Sequence, residues 1–190
     1  MQIGMLLFGM ESTLHASPAP AFLQQMAGCF SVTYNFVENG DNDEFFEPVL
    51  EKATLEESDD VIHIRRTLIV GDQVQPHWRE EWRLLDAAAN TWEQTVYGPF
   101  EDLRYRCSGL LIEDSWRCEA LAAPKPRRDQ DKPYAKLDRE NTLKVNAKRW
   151  IHMQKNVKKM VDQSVYGIEL GWNRYDRQDD AACTPSQRPR

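Results

Sequence analysis

Within six positions, His77-Trp78-Arg79-Glu80-Glu81-Trp82, the chain gathers an imidazole, two carboxylates, a guanidinium and two indoles. Acid–base chemistry needs a group that titrates near neutrality beside one whose pKa burial can move, and His77 with Glu80 supplies both residue types. In an extended segment Trp78, Glu80 and Trp82 share one face, while His77, Arg79, Glu81 and Arg83 share the other. A carboxylate between two indoles on a buried face must be paired or protonated, because an isolated buried charge is very costly. Arg104, Arg127, Arg128 and Arg139 are the candidate partners; the alternative is a half-buried face on which Glu80 reaches water. His152, in a later extended segment, is the third candidate for acid–base work.

No zinc-type spacing joins these histidines and there is no Cys-x-x-Cys, so no metal is expected. The chain also lacks a Gly-x-Ser-x-Gly elbow, a phosphate-cradling Gly-rich loop and a dinucleotide fingerprint, which leaves hydrolase and nucleotide-dependent chemistry without a motif and calls for no cofactor. With 24 Lys and Arg against 30 Asp and Glu, the formal charge of −6 repels a phosphate backbone, so nucleic acid is not an expected partner. The run Pro124-Lys125-Pro126-Arg127-Arg128 reads either as a solvated loop or as a clamp for a carboxylate- or propionate-bearing ligand, since Arg presents planar paired donors.

What must position these residues is a set of short strands. Apolar side chains recur at every second residue in Phe30, Val32, Tyr34, Phe36 and in Ile62, Ile64, Leu68, Val70, and Gly71-Asp72 then makes a tight turn into the Trp78–Leu84 strand. Further alternating segments pass through Trp92, Gln94, Val96; Leu103, Tyr105, Cys107; Trp116, Cys118, Ala120; Leu143, Val145; 150–154; and 168–175. The region 43–58 is the one place with helical spacing, at Phe45, Phe46, Val49 and Leu50, although Pro48 limits it to a short or interrupted helix that would cap the fold. Residues 122–133 read as a surface loop. Eight or so hairpin-linked strands without long amphipathic helices predict an all-β, mainly antiparallel fold: a calycin- or lipocalin-like up-and-down barrel with a short capping helix.

The chain of 190 residues, 41% hydrophobic, suits a single domain. Residues 1–21 read as a leader with an apolar block and a small-residue stretch of signal-peptide type, 22–178 as the barrel, and 179–190 as a disordered tail. No run of about 18 apolar residues exists, so no helical membrane span is expected. Cys107 and Cys118 lie in consecutive strands, where they either bridge or remain two buried thiols according to the register.

Several motifs taken together carry a resemblance. Gly28-Cys29-Phe30-x-Val32-x-Tyr34-Asn35-Phe36, His77-Trp78-Arg79-x-x-Trp82, Trp92-x-Gln94-x-Val96-Tyr97, Pro124-x-Pro126-Arg127-Arg128 and Trp150-x-His152-x-Gln154 resemble, in order, an uncharacterised bacterial family of exported proteins. The chain departs from that pattern at Met153 and Lys155, where acidic residues would stand. The hairpin from Ile64 to Trp82 is more weakly similar to the CpcT/CpeT type of bilin chromophore lyase, a calycin-like barrel that holds an open-chain tetrapyrrole. These resemblances imply a barrel and a periplasmic or secreted location.

Three functions follow as expectations. The first is a binding barrel for a hydrophobic or tetrapyrrole-like small molecule, with Trp78, Trp82, Trp92 and Trp116 as walls, Gln94 and Tyr105 beside them, and Arg127 or Arg139 as the polar anchor. The second is a lyase or isomerase using the same pocket, with Glu80 as general acid or base assisted by His77 or His152. The third is an envelope protein-interaction domain working through the His77, Arg79, Glu81, Arg83 face. The sequence sets no oligomeric state.

Overall fold

The computed structural model describes residues 19–45 and 47–185. Among the described residues eleven strands form one antiparallel sheet: β1 (Gly28–Glu38), β2 (Asp41–Phe45), β3 (Val49–Ser58), β4 (Val61–Val70), β5 (Gln73–Asp86), β6 (Thr91–Tyr97), β7 (Leu103–Ile112), β8 (Ser115–Ala123), β9 (Lys136–Asn146), β10 (Arg149–Lys159) and β11 (Val165–Gln178). From β3 to β11 each strand pairs with the next, and β11 pairs along nearly all of β1, Cys29 to Glu38 facing Gln178 to Glu169. The ring is therefore closed. On its other edge β1 pairs first with β3 through Gly28–Val32 and then with β2 through Asn35–Glu38, so ten strands complete the ring and β2 is a hairpin leg at one rim. The barrel of the calycin type expected from the alternation is what the chain forms.

The helix expected within 43–58 is not there. Pro48 separates β2 from β3, and from Val49 onward the chain alternates, with Glu51 and Ala53 buried and Lys52 and Thr54 more exposed. A proline without an N–H at that point favours two strands over one interrupted helix. The short helix sits elsewhere: α1 (Ala21–Gln24) places Phe22 and Leu23, with Met26 just beyond, in one end of the barrel. Phe22 packs edge-on to Trp82 at 6.2 Å between centroids, and Trp82 meets Trp116 at 4.8 Å. These rings, with Trp92, Ile64 and Leu111, fill that half of the lumen.

The apparent leader lies outside the described residues as far as residue 18; beyond it Ala19 is buried, Ala21 opens α1 and the first strand of the barrel starts at Gly28. At the other end the expected tail is described only for residues 179–185, where Asp180–Cys183 forms a 3-10 turn and Cys183 is disulfide-bonded to Cys29; residues 186–190 lie outside the described residues. Polar composition suggested disorder for residues 179–185 too, and there the covalent tether at Cys183 holds the chain against β1. Cys107 and Cys118 are also bridged. In the β7–β8 register Gly109 faces Cys118, and a Cβ on Gly109 would lie 1.8 Å from the Arg117 carbonyl, so the strands come this close only because that residue has no side chain.

Because Trp116 is 1% exposed in the filled half, Trp116→Ala should cost about 3–5 kcal/mol in urea unfolding. The same substitution at half-buried Trp78 should cost clearly less, and equal losses would contradict the division of the lumen into a packed and a hollow half.

Candidate functional site

The half of the lumen opposite α1 is hollow. Its cavity of about 540 Å³ lies in the range of small-molecule pockets. Alternation carries the inward faces of most strands into it: Tyr34 and Phe36 from β1, Arg66 and Leu68 from β4, Gln94 and Val96 from β6, Arg139 from β9, His152 and Asn156 from β10, Asn173 and Tyr175 from β11.

At its base lies a buried charge knot centred on Arg66, which is 5% exposed. Its Nε donates to Glu51 Oε1 at 2.6 Å, Nη1 to Glu80 Oε1 at 3.2 Å and Nη2 to the Tyr175 hydroxyl at 2.5 Å. The guanidinium also lies over the rings of Trp150 and Tyr175, which stack on each other at 3.7 Å. Glu80 is thus paired, and its partner is none of the four arginines expected. Arg66 was legible as the next inward position after Ile62 and Ile64, but its register opposite Trp78 was not. The other Glu80 oxygen accepts from Trp82 Nε1 at 3.0 Å and Gln94 Nε2 at 2.8 Å. With donors on both oxygens, Glu80 is built as an anchor, and the acid–base role expected of it does not suit that geometry.

Glu51, which the helical reading had hidden, is fully buried and accepts three hydrogen bonds on its two oxygens: Arg66 on Oε1 as above, and on Oε2 the Tyr34 hydroxyl at 2.9 Å and His77 Nδ1 at 2.6 Å. Burial alone would push its carboxyl up, yet the Arg66 charge and the His77 hydrogen bond outweigh it and hold the pKa at about 2. Burial raises the Tyr34 and Tyr175 hydroxyls well above the ordinary range, so both are donors or acceptors only as neutral phenols.

His77 reaches this site through a bulge. Arg66 faces Trp78 but Thr67 faces Pro76, so His77 is the extra residue of β5 and turns inward beside Trp78, their rings 5.0 Å apart. Simple alternation had set His77 on the outer face with Arg79, Glu81 and Arg83. Only the last three remain there, with Arg79 paired to Glu81 and Glu101, which takes the imidazole away from the proposed interaction face. Burial depresses the His77 pKa more than Glu51 raises it, so the ring is neutral at pH 7 and donates Nδ1–H to Glu51. Its Nε2 has no hydrogen-bond partner among the described residues.

Five cations from β7, β9, β10 and the 127–128 turn also line the cavity. Arg139 donates from Nε to Asn156 Oδ1 at 2.7 Å and lies over the Tyr105 ring, but makes no ion pair among the described residues. Arg104 lies over Trp78 and has one carboxylate near, Asp102 at 3.7 Å; burial first, and then the Arg139 and Arg128 charges, push its pKa down. Arg128 pairs with Glu169 at 3.2 Å and Arg127 caps the ring of Phe100 at the mouth. Below them Lys158, 1% exposed, is held by Glu38 at 2.7 Å, with Glu169 and Asp129 near. Asp102 Oδ1 is buried with no donor. His152 hydrogen-bonds Asn141 at 3.0 Å, and burial with the Arg139 and Arg66 charges takes its pKa down to about 3.

The structure therefore brings Glu80, His77, His152, Trp78, Gln94, Tyr105, Arg127 and Arg139 to one cavity. Trp82, Trp92 and Trp116 do not line it: they lie further along the same inward faces, in the half filled by α1. Met153 is exposed on the outer surface and Lys155 pairs with Glu140 at 2.9 Å, so the departures from the exported-family pattern lie away from the cavity. Sequence reasoning missed Glu51, Tyr34 and Tyr175 as site residues.

No protein-family model and no curated protein matches the chain. Among solved structures, the S-type phycobiliprotein lyase CpeS from Guillardia theta is similar with a TM-score of 0.52 at 7% identity, over 83% of this chain and 91% of that one. Rv2717c from M. tuberculosis gives a TM-score of 0.46 at 14% identity, over 86% of this chain and 99% of that one. The first likeness is one of fold alone.

Arg66→Met would leave Glu51 and Glu80 buried without their cation, and we expect a loss of about 3–5 kcal/mol by urea unfolding at pH 7. A loss below about 1 kcal/mol would show that the knot is dispensable. For His152 the folded pKa is the lower one, so the unfolded chain takes up the proton first: stability is intact above pH 6.5 and falls as pH drops towards 3, by at most about 1.4 kcal/mol per pH unit. Between pH 7 and 5, above the carboxylate range, His152→Gln should show a shallower fall in the urea midpoint than the wild type. Parallel curves would remove His152 as a source of the acid sensitivity.

Proposed function

We propose that this protein is a binding barrel for a flat, largely apolar small molecule that carries anionic groups, of the chemistry of an open-chain tetrapyrrole. One observation carries the reading: the cavity is lined by apolar side chains, Phe36, Val49, Leu68 and Val96 among them, and in the same cavity Arg104 and Arg139 are crowded with less carboxylate than they need. Enclosed cations short of counter-charge favour an incoming anion, because charge-assisted hydrogen bonds strengthen where water is excluded. Trp78, with Arg104 on one side and the cavity beside it, offers a surface for a planar ring. The unpartnered Asp102 oxygen supplies an acceptor for a ligand N–H, as a pyrrole would present. The fold likeness to a phycobiliprotein lyase supports the same ligand class. Lyase or isomerase chemistry in this cavity is the second reading, favoured by the free Nε2 of His77.

We also propose that the protein is exported, in keeping with the family resemblance. Both pairs of cysteines are bridged, which suits an oxidising compartment.

Titration with biliverdin, a dicarboxylate, should quench tryptophan fluorescence. Its dimethyl ester should bind at least tenfold more weakly, and Arg139→Leu should weaken the acid but not the ester by about tenfold or more. Equal affinity for acid and ester would remove the anionic anchor, and no quenching by either would remove the ligand class.

A further inference from the structure

We propose that the cavity is catalytic toward proton transfer, with His77 Nε2 as the base and Glu51 as its positioning residue, acting on a planar conjugated carbonyl compound that bears an anionic group. The inference deepens the binding reading and rests on it.

Three features of the geometry point this way. Glu51 Oε2 accepts the Nδ1–H of His77 at 2.6 Å, which fixes the tautomer and leaves the Nε2 lone pair for the cavity. Glu51 is itself held by Arg66 and Tyr34, so the ring is oriented by a carboxylate that cannot turn away. A neutral imidazole lining a cavity, backed by a buried carboxylate that stabilises the imidazolium once formed, is the arrangement a general base requires. Arg104, over the Trp78 ring, and Arg139 line the same cavity and can stabilise negative charge developing on a ligand oxygen. The groups facing His77 are Tyr34 from β1, Glu51 from β3, Arg66 from β4 and Trp78 on its own strand, so among the described residues Glu51 is the one carboxylate within hydrogen-bond reach of the ring.

The reaction balances without a co-reactant. Nε2 takes a proton from a carbon next to the conjugated system; the C–H electron pair enters that system and the charge settles on the carbonyl oxygen facing the arginines. The imidazolium then returns the same proton to a different carbon of the ligand, the carbonyl is restored and one double bond has moved. The net change is an isomerisation.

The test uses 5-nitrobenzisoxazole, a planar probe that opens on loss of one proton: the C–H pair forms the nitrile and the N–O pair leaves on the phenolate, whose colour reports the rate. The wild type should exceed free imidazole at equal concentration, with activity rising through a pH limb centred below 6.5. His77→Ala should lose about 100-fold and regain activity when imidazole is added. Glu51→Gln should keep KM, lower kcat about tenfold and move the limb to lower pH. If that variant does not fold, Tyr34→Phe, which removes a competing donor to Glu51, should move the limb to higher pH instead. A wild type no faster than imidazole while biliverdin still binds would overturn the base and leave the binding reading standing. Loss of both signals would overturn both, and a rate that survives in His77→Ala would assign the chemistry to another group.

Discussion

One guanidinium holds the interior of this barrel in register. Arg66 uses Nε, Nη1 and Nη2 on three different residues, and each of those residues fixes something further. Through Glu51 it sets the orientation of His77 and Tyr34; through Glu80 it reaches Trp82 and Gln94; through Tyr175 it touches β11. The strands so linked are β1, β3, β4, β5, β6 and β11, which include the seam where the sheet closes on itself. A buried ion pair of this kind adds little net stability over a well-packed apolar replacement, but once present it tolerates no missing member. Its value here is positional, since each side chain is tied to one strand and one depth.

The polar chain continues around the ring. Gln94 accepts from Tyr105, Arg139 lies over Tyr105 and donates to Asn156, and Asn156 donates to Glu169 at 2.6 Å. β8 takes a different part, turning Trp116, Cys118 and Ala120 inward and joining β7 through a disulfide. The two halves of this network differ in charge balance. Near β3 and β4 one cation serves two carboxylates and the imidazole is neutral; near β7 and β9 arginines gather with less carboxylate. A ligand between them would meet a hydrogen-bond acceptor on one side and an uncompensated positive field on the other, a polarity suited to moving a proton off a molecule that keeps its negative charge.

Much of the fold was legible because a period of two survives every substitution that keeps a side chain's face. Phe30, Val32 and Tyr34, or Ile62 and Ile64, read as strands whatever their partners. What failed had physical causes. The region 43–58 looked helical because a proline-separated pair of strands places apolar residues three and four apart by coincidence. His77 was assigned outward because a bulge adds one residue and flips the phase, and nothing local announces it beyond Pro76, which cannot donate to the ladder. The partner of Glu80 was unreadable because register between strands is a property of two segments. Cys183 was passed over because a polar composition says nothing of a covalent bond 154 residues away.

The segment Trp78, Glu80, Trp82 shows why residue type and face were not enough to assign the walls. All three point into the same lumen, at three depths, and meet three fates: Trp78 faces the hollow, Glu80 sits in the charge knot and Trp82 is packed against Phe22 and Trp116. A ring of ten strands is wider than one of eight, and its side chains alone would leave it open throughout. α1 and the indoles close one half, and that closure keeps water from the underside of the knot, where a low dielectric strengthens the bonds Arg66 makes. The packed half is thus a condition of the polar one: without the tryptophans that line nothing, Glu51 would be a hydrated carboxylate with no hold on His77.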